Sequence, residues 1–342
     1  MVLLAGCATP YVRPSAPDTL APALYDDHAV MADGYILPLS VWRPPATEHA
    51  RAVVLALHGL NDYRHAFADL GPYLAARGII TYAYDQRGFG ATRDAGVWHG
   101  SRRLTEDMRA MARLVRNAHP HLPFYAIGES MGGGVLLSAL HDNPPAVDGM
   151  ILIAPAVWAR DTMPLPQRVT LWLAAHVMPS ETVTGGFLHI SPSDNEEMLR
   201  ALRADPLTIK ATRIDVLYGT ARLMDKALAA APDLLMPALI LYGKHDQIIP
   251  KEPVCDMLAA LPRGPRRRWR MAFYPGGYHM LTRDLNRQAV WEDIAAWLLN
   301  PDADLPSGDE ILTQPGTRAP FCDQRPGTTP PRSLAADEAS GG

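Results

Sequence analysis

The chain has 342 residues, enough for one large core with an inserted subdomain, and its 48% hydrophobic and 20% charged residues are ordinary for a soluble globular protein. A formal net charge of -4 supplies no field that would favour nucleic acid or an acidic substrate, so a nucleic-acid partner is not expected. No run reaches the roughly 20 apolar residues needed to span a bilayer as a helix.

In chain order, MVLLAGCATP first places Leu4, Ala5 and Gly6 directly before Cys7. This resembles the bacterial lipoprotein box, in which the cysteine receives lipid and becomes the mature N-terminus. The match lacks a basic n-region and the usual apolar segment of about 7–15 residues. The plainer reading is an ordinary N-terminus. PYVRPSAPDTLAP (10–22) follows, without apolar periodicity and rich in the chain's 32 prolines. Residues 1–24 therefore read as a leader remnant plus a proline-rich linker, the spacer that a tethered domain needs.

From residue 34 onward, short apolar runs alternate with helical stretches. Strands are expected at 34–42, 50–59, 78–88, 124–128, 147–157, 237–243 and 268–274. Helices are expected at 69–78, 104–120 and 130–143, the second with a Thr-Glu-Asp start and a terminal proline. Several strands are continuous apolar runs, as when helices cover both faces of a sheet. The pattern predicts an α/β fold with a mostly parallel central sheet flanked by helices. Between 158 and 233 the rhythm breaks into a mixed helical text with Trp158, Met163, Trp172 and Met178 and no convincing strand. That segment reads as a helical cap inserted between core segments 25–157 and 234–300. Residues 301–342, rich in Pro and Gly, read as a disordered tail. Cys255 and Cys322 either pair in an oxidising compartment, pinning the tail to the body, or stay as thiols. No Cys/His spacing suggests a metal and no glycine loop suggests a phosphate, so neither metal nor cofactor is expected.

FYAIGESMGGG (124–134) raises the chemical question. A serine hydroxyl is a poor nucleophile in water and needs a base, together with donors for the oxyanion it creates. In a G-x-S-x-G strand-to-helix turn the serine is exposed on a strained elbow, and glycine lets the neighbouring backbone close around it. Gly128 and Gly132 flank Ser130 in that setting. The partners of such a serine follow as Asp or Glu and then His. LILYGKHDQIIP (239–250) offers Asp246 just past an apolar strand, and YPGGYHML (274–281) offers His279 in a loop after the last core strand. His279 is the expected base and Asp246 its orienting carboxylate. His245 is a weaker competitor, and a solvated turn is the plain alternative for Asp246. The expected oxyanion donors are the backbone N–H groups of Met131 and, in LALHGLND (55–62), of Leu60. Asn61 is a lesser candidate, and His58 reads as a brace for that loop.

HGLND, YDQRGFG, GESMGG, GKHD and GGYHM, in this order, resemble the α/β-hydrolase superfamily. More narrowly they resemble its monoacylglycerol lipase and lysophospholipase branch, grouped with the S33 serine-aminopeptidase-like hydrolases. The likeness covers roughly residues 30–300 and implies the triad Ser130, Asp246 and His279, with donors at Leu60 and Met131. The family often has histidine before the serine; Glu129 stands here, and glutamate also occurs there. LRADPLTIKATRIDVL (202–217) is similar to a family cap that lines an acyl pocket.

The resemblance implies hydrolysis of carboxylic esters of single-chain lipids, such as a monoacylglycerol or lysophospholipid, through an acyl-enzyme. The expected partner is a small lipid or ester substrate, and through an anchor at Cys7 a membrane surface. RGPRRRWR (263–270) suits anionic headgroups or, more plainly, a solvated loop. The expected location is the bacterial cell envelope, lipid-anchored and facing the periplasm, with the cytoplasm as the alternative. Three other readings stay open: an aminopeptidase or amidase using Asp194, Glu196 and Glu197 to hold an amine, an acyltransferase, and a non-catalytic lipoprotein that binds ligand.

Overall fold

A computed structural model describes residues 9–184, 190–264, 268–311 and 320–323. Cys7 and residues 265–267, which include Arg266 and Arg267 of the arginine run, lie outside the described residues. Two short strands that the sequence pattern does not reveal, β1 (Ala23–Leu24) and β2 (His28–Val30), lead into β3 (Ile36–Trp42). The core continues with β4 (Ala52–Leu57), helix α1 (Leu70–Ala75), β5 (Ile79–Tyr84), α2 (Ser101–Ala118), β6 (Phe124–Glu129), α3 (Met131–Ser138) and β7 (Gly149–Ile153). After the inserted segment come β10 (Ala238–Gly243), α7 (Lys251–Ala260), β11 (Trp269–Tyr274) and α8 (Arg287–Leu299), with a short α9 (Pro320–Asp323) beyond. Among the described residues nine strands form one sheet in the order β1-β2-β3-β5-β4-β6-β7-β10-β11. Pairing is antiparallel from β1 to β5 and parallel from β5 through β4 to β11.

The continuous apolar runs have a direct explanation in the pleat. Val53, Leu55 and Leu57 of β4 enter one core cluster, with α2, α3 and α7, while Ala52, Val54 and Ala56 enter the other, with α1 and α8. Alternate residues thus serve opposite faces, and both faces are dry. Each fully buried Val, Leu or Ile contributes about 1.5–3 kcal/mol by leaving water.

The inserted segment holds α4 (Leu165–Val177), α5 (Glu196–Ala204) and α6 (Ile214–Ala229). It also holds strands, contrary to the sequence expectation: β8 (Thr182–Thr184) pairs antiparallel with β9 (Ala211–Arg213). Three residues each are too few to imprint a period-2 signal. Helix α2 begins at Ser101, earlier than the Thr-Glu-Asp start expected at 105–107. Thr105 Oγ1 instead donates to Arg102 O at 2.8 Å, and Asp107 turns inward to accept from Arg87 at 2.7 and 2.9 Å.

The described parts of both terminal segments pack more closely than their composition suggests. Residues 10–22, expected as a linker, lie along the body. Arg13 N donates to Trp98 O at 2.8 Å, and Arg103 reaches Ser15 and Asp18, each at 3.0 Å. The disordered tail expected over 301–342 does not hold for its described parts. Glu310 forms a bridge with Ala272, and Arg270 donates to Glu310 at 2.8 and 2.5 Å and to the carbonyls of Pro301 and Ala303. Arg270 is thereby committed to the tail rather than to a headgroup. Phe321 is buried against Phe273, with ring centroids 4.9 Å apart. The open pairing question is resolved: Cys255 in α7 is disulfide-bonded to Cys322, 67 residues away in sequence.

Closing a loop of that length restricts the unfolded chain by an amount worth about 2–4 kcal/mol. Cys322→Ser is expected to lower unfolding stability in denaturant by that amount, and wild-type protein under reductant should match it. Equal midpoints with and without the bond would contradict this role for the cross-link.

Candidate active site

The strand-to-helix turn at the end of β6 is strained at its apex. Ser130 has φ 51° and ψ -113°, a left-handed conformation that costs an L-residue energy and is held by its surroundings. Ser130 N donates to Ile153 O at 2.9 Å, and Ser130 O accepts from Ala156 N and Gly134 N at 2.9 and 3.0 Å. A side chain at position 132 would bring its Cβ to 2.2 Å from the Leu57 carbonyl oxygen. One at 128 would come to 2.5 Å from Gly133 N. Backbone approaching backbone this closely is why both positions are glycine.

Asp246 and His279 follow neighbouring parallel strands. The register pairs Gly243 with Tyr274, so the loops after β10 and β11 leave the sheet side by side. His279 Nδ1 lies 2.8 Å from Asp246 Oδ2, and Asp246 Oδ1 accepts from the N–H groups of Ile248 and Ile249 at 2.8 and 2.9 Å. Both side chains are almost completely buried. Asp246 is therefore a fixed acceptor rather than a solvated turn carboxylate, whereas the competing His245 is exposed. Burial alone would lower the His279 pKa. The charge and hydrogen bond of Asp246, and then the charge of Glu129, more than offset it, with Arg283 opposing, so the imidazole titrates above its ordinary range.

The loop after β4 approaches the same turn. A Cβ placed on Gly59 would sit 3.3 Å from Ser130 Cβ and 3.9 Å from its hydroxyl. His58 is fully buried. Its Nδ1 contacts Gly59 O at 2.8 Å and its Nε2 accepts from Gln86 N at 2.9 Å, which fixes a neutral tautomer with the proton on Nδ1. Burial depresses its pKa, in keeping with that neutral state. With the Gly59 carbonyl held toward His58, the trans peptide turns the Leu60 N–H the opposite way. Met131 opens α3, so its N–H belongs to the first turn and has no acceptor within the helix. Asn61, at φ 66°, spends its side-chain amide on Thr212 of β9 at 2.7 Å, and its carbonyl accepts from Ile209 N at 2.9 Å. Tyr63 reaches Asp205 of the cap at 2.5 Å. The cap is thus sewn to this loop, and Asn61 is a strut.

A buried ionic cluster that sequence reasoning missed stands behind these groups. Arg283, in the His279 loop, contacts Asp62 at 2.7 Å and Glu129 at 3.0 Å. Its neighbour Asp284 accepts from Ser193 Oγ at 2.6 Å and from Tyr278 N at 2.7 Å, and burial pushes its carboxyl up to about 6. The available signal was a glutamate closing an apolar buried strand, which demands a cation from elsewhere in the chain. Among the described residues no group of three or more His, Cys, Asp or Glu side chains is arranged to hold a metal ion.

A family model described as serine aminopeptidase, S33, matches residues 48–286. A monoacylglycerol lipase of Mycolicibacterium smegmatis is 28% identical over 277 residues, covering 78% of this chain and 94% of that protein. In fold, the chain is similar to a soluble variant of the Saccharomyces cerevisiae monoglyceride lipase solved with a substrate analogue. The TM-score is 0.65 at 20% identity, covering 85% of this chain and 97% of the other. It is likewise similar to the Paleococcus ferrophilus monoacylglycerol lipase, with a TM-score of 0.63 at 18% identity over 77% of this chain and 98% of that one.

The raised basicity of His279 gives a titration test. Its NMR midpoint is expected above about 6.5, and in Asp246→Asn, where burial remains but the charge is gone, below it. An unmoved midpoint in the variant contradicts the assignment of Asp246 as its charge partner.

Proposed function

The chain belongs to the serine aminopeptidase, S33 family and has the α/β-hydrolase fold, and from that premise we propose that it is a serine hydrolase cleaving carboxylic esters of single-chain lipids. The observation that carries the reading is the 2.8 Å contact between His279 and the buried Asp246, at the sheet edge where Ser130 sits on its strained turn. Ser130 Oγ attacks the ester carbonyl as the free ring nitrogen of His279 takes its proton. Leu60 and Met131 N–H groups receive the oxyanion. Collapse breaks the bond to the alcohol, which leaves with the proton from His279. Water, deprotonated by the same imidazole, then releases the fatty acid and restores Ser130.

Support for a lipid substrate comes from the relatives named as monoacylglycerol lipases and from the cap. Helix α4 turns Leu165, Val169, Trp172, Leu173 and Val177 outward, each between 45% and 66% exposed. An outward apolar stripe of this kind suits contact with a lipid surface. The amidase reading finds less support, because its acids do not converge. Glu196 and Glu197 are exposed on the first turn of α5, and Asp194 accepts from Leu285 N at 2.8 Å. A ligand-binding module would have no use for the strain stored at Ser130.

The proposed location is the cell envelope. A disulfide between Cys255 and Cys322 suits an oxidising compartment, and lipid on Cys7 would tether the chain there. Membrane fractionation tests it: Cys7→Ser should move the protein from the membrane to the soluble fraction, and an unchanged distribution rejects the anchor.

For the chemistry, a fluorophosphonate probe should label the wild type and not Ser130→Ala. Asp246→Asn should lower kcat by roughly 10⁴-fold through the wrong tautomer. Faster turnover of an aminoacyl amide than of a monoacylglycerol would overturn the ester reading.

A further inference from the structure

Arg283 has no part in the proton transfers above, yet from the His279 loop it reaches both the nucleophile turn and the loop after β4. It follows His279 in the same loop, with a side chain only 8% exposed. Nη1 meets Asp62 Oδ2 at 2.7 Å, just past the Leu60 donor, and Nη2 donates to Glu129 Oε1 at 3.0 Å, immediately before Ser130. The Glu129 and Asp62 side chains are themselves 2% and 6% exposed. Asp62 Oδ1 is held in turn by Tyr63 N at 2.8 Å, and Arg283 O accepts from Asn195 Nδ2 of the cap at 2.9 Å. A planar guanidinium presents fixed donors to two acceptors at once, which the point charge of a lysine cannot reproduce.

The charge count of this cluster is uneven. Two carboxylates share one guanidinium, and Glu129 Oε2 is buried with no hydrogen-bond partner among the described residues. The groups around His279 are Asp246 from the loop after β10, Glu129 from the end of β6 and Arg283 from its own loop. Asp284 is turned to Ser193 and Tyr278, Asp62 lies behind Arg283, and His58 is kept neutral by its contacts with Gly59 and Gln86. Glu129, whose buried side chain directly precedes Ser130 and leaves Oε2 without a partner among the described residues, is thus a second negative group beside the proton transfer, on a different element from Asp246, and its charge acts to raise the His279 pKa.

Resting on the serine-hydrolase reading above, we propose that Arg283 is a positioning residue that clamps the oxyanion loop through Asp62 and the nucleophile turn through Glu129 in register with the His279 loop, and that Glu129 stabilises the imidazolium formed when Ser130 gives up its proton. The clamp also accounts for glutamate at position 129, since the guanidinium it shares with Asp62 gives its buried carboxylate a charge partner. Small displacements of reacting groups are costly, on the order of 10²-fold for about 1 Å. Loss of the fork should therefore appear in kcat more than in KM.

Three variants of the full chain test this with a soluble short-chain ester. Arg283→Lys, which keeps the charge without the fork, should lower kcat about 10–100-fold with KM within about threefold. Glu129→Gln should keep its contact with Arg283 while lowering both the NMR midpoint of His279 and the acid limb of kcat/KM by the same interval. A structural role alone would leave both midpoints in place. If Arg283→Lys does not fold, the neutral triple variant Asp62→Asn, Glu129→Gln, Arg283→Met takes its place, because it buries no unpaired charge. Wild-type kcat in a folded Arg283→Lys or triple variant overturns the clamp, as does an unmoved His279 midpoint in Glu129→Gln. The NMR titration needs no turnover. A midpoint shifted in Glu129→Gln, together with a wild type that hydrolyses no ester, would sink the proposed function while leaving the charge effect of Glu129 standing.

Discussion

The contact between His279 Nδ1 and Asp246 is the interaction on which the remaining geometry depends, and the sheet is what makes it available. Two loops from adjacent parallel strands must exit at the same edge, because parallel pairing aligns their carboxyl ends. The carboxylate is itself pinned by two backbone donors, so the imidazole is oriented by a group that cannot turn away. A buried carboxylate–imidazole pair has little meaning as a stabilising device, because desolvation offsets much of the attraction. Its value lies in orientation and in readiness to hold a positive charge.

Around that pair the loops are fixed from two sides. The HGLND segment is braced from below by Gln86, which engages both His58 Nε2 and His58 O, and by Arg64 paired with Asp85 at 2.5 Å. From above it is fastened to the cap through Asn61, Tyr63 and the Ile209 amide. The cap also reaches the His279 loop, where Met280 N donates to Pro192 O at 3.0 Å and Ser193 donates to Asp284. The insertion is therefore more than a lid resting on the core. Hydrogen bonds tie its position to the geometry of both flanking loops.

Much of this was legible in the sequence, for identifiable reasons. The run AVVLAL is apolar throughout because alternate residues face opposite helix layers, and such runs mark central parallel strands. GESMG, Asp246 and His279 stand out because each follows a strand and their order along the chain is constrained. Of the Arg283 clamp only the need for a cation near Glu129 could be read; Arg283 and Glu129 lie 154 residues apart, and no local pattern announces which arginine meets it. The proline-rich segments misled for a different reason. Proline lowers helix and strand propensity, but it also leaves a chain already extended, so laying residues 10–22 along the body costs little conformational entropy. The described tail is recruited by Phe321 and Cys322, single residues rather than a periodic signal.

In the proposed chemistry Ser130 becomes the carrier of the acyl group, with His279 as the base that Asp246 orients. Acid-quenching the enzyme within one turnover of a p-nitrophenyl ester, followed by peptide mass analysis, tests this most directly. A stoichiometric burst of p-nitrophenol and an acyl adduct on the peptide containing Ser130 are expected. A folded enzyme that turns the ester over with the adduct on another residue, or with no burst and no adduct at all, would contradict it.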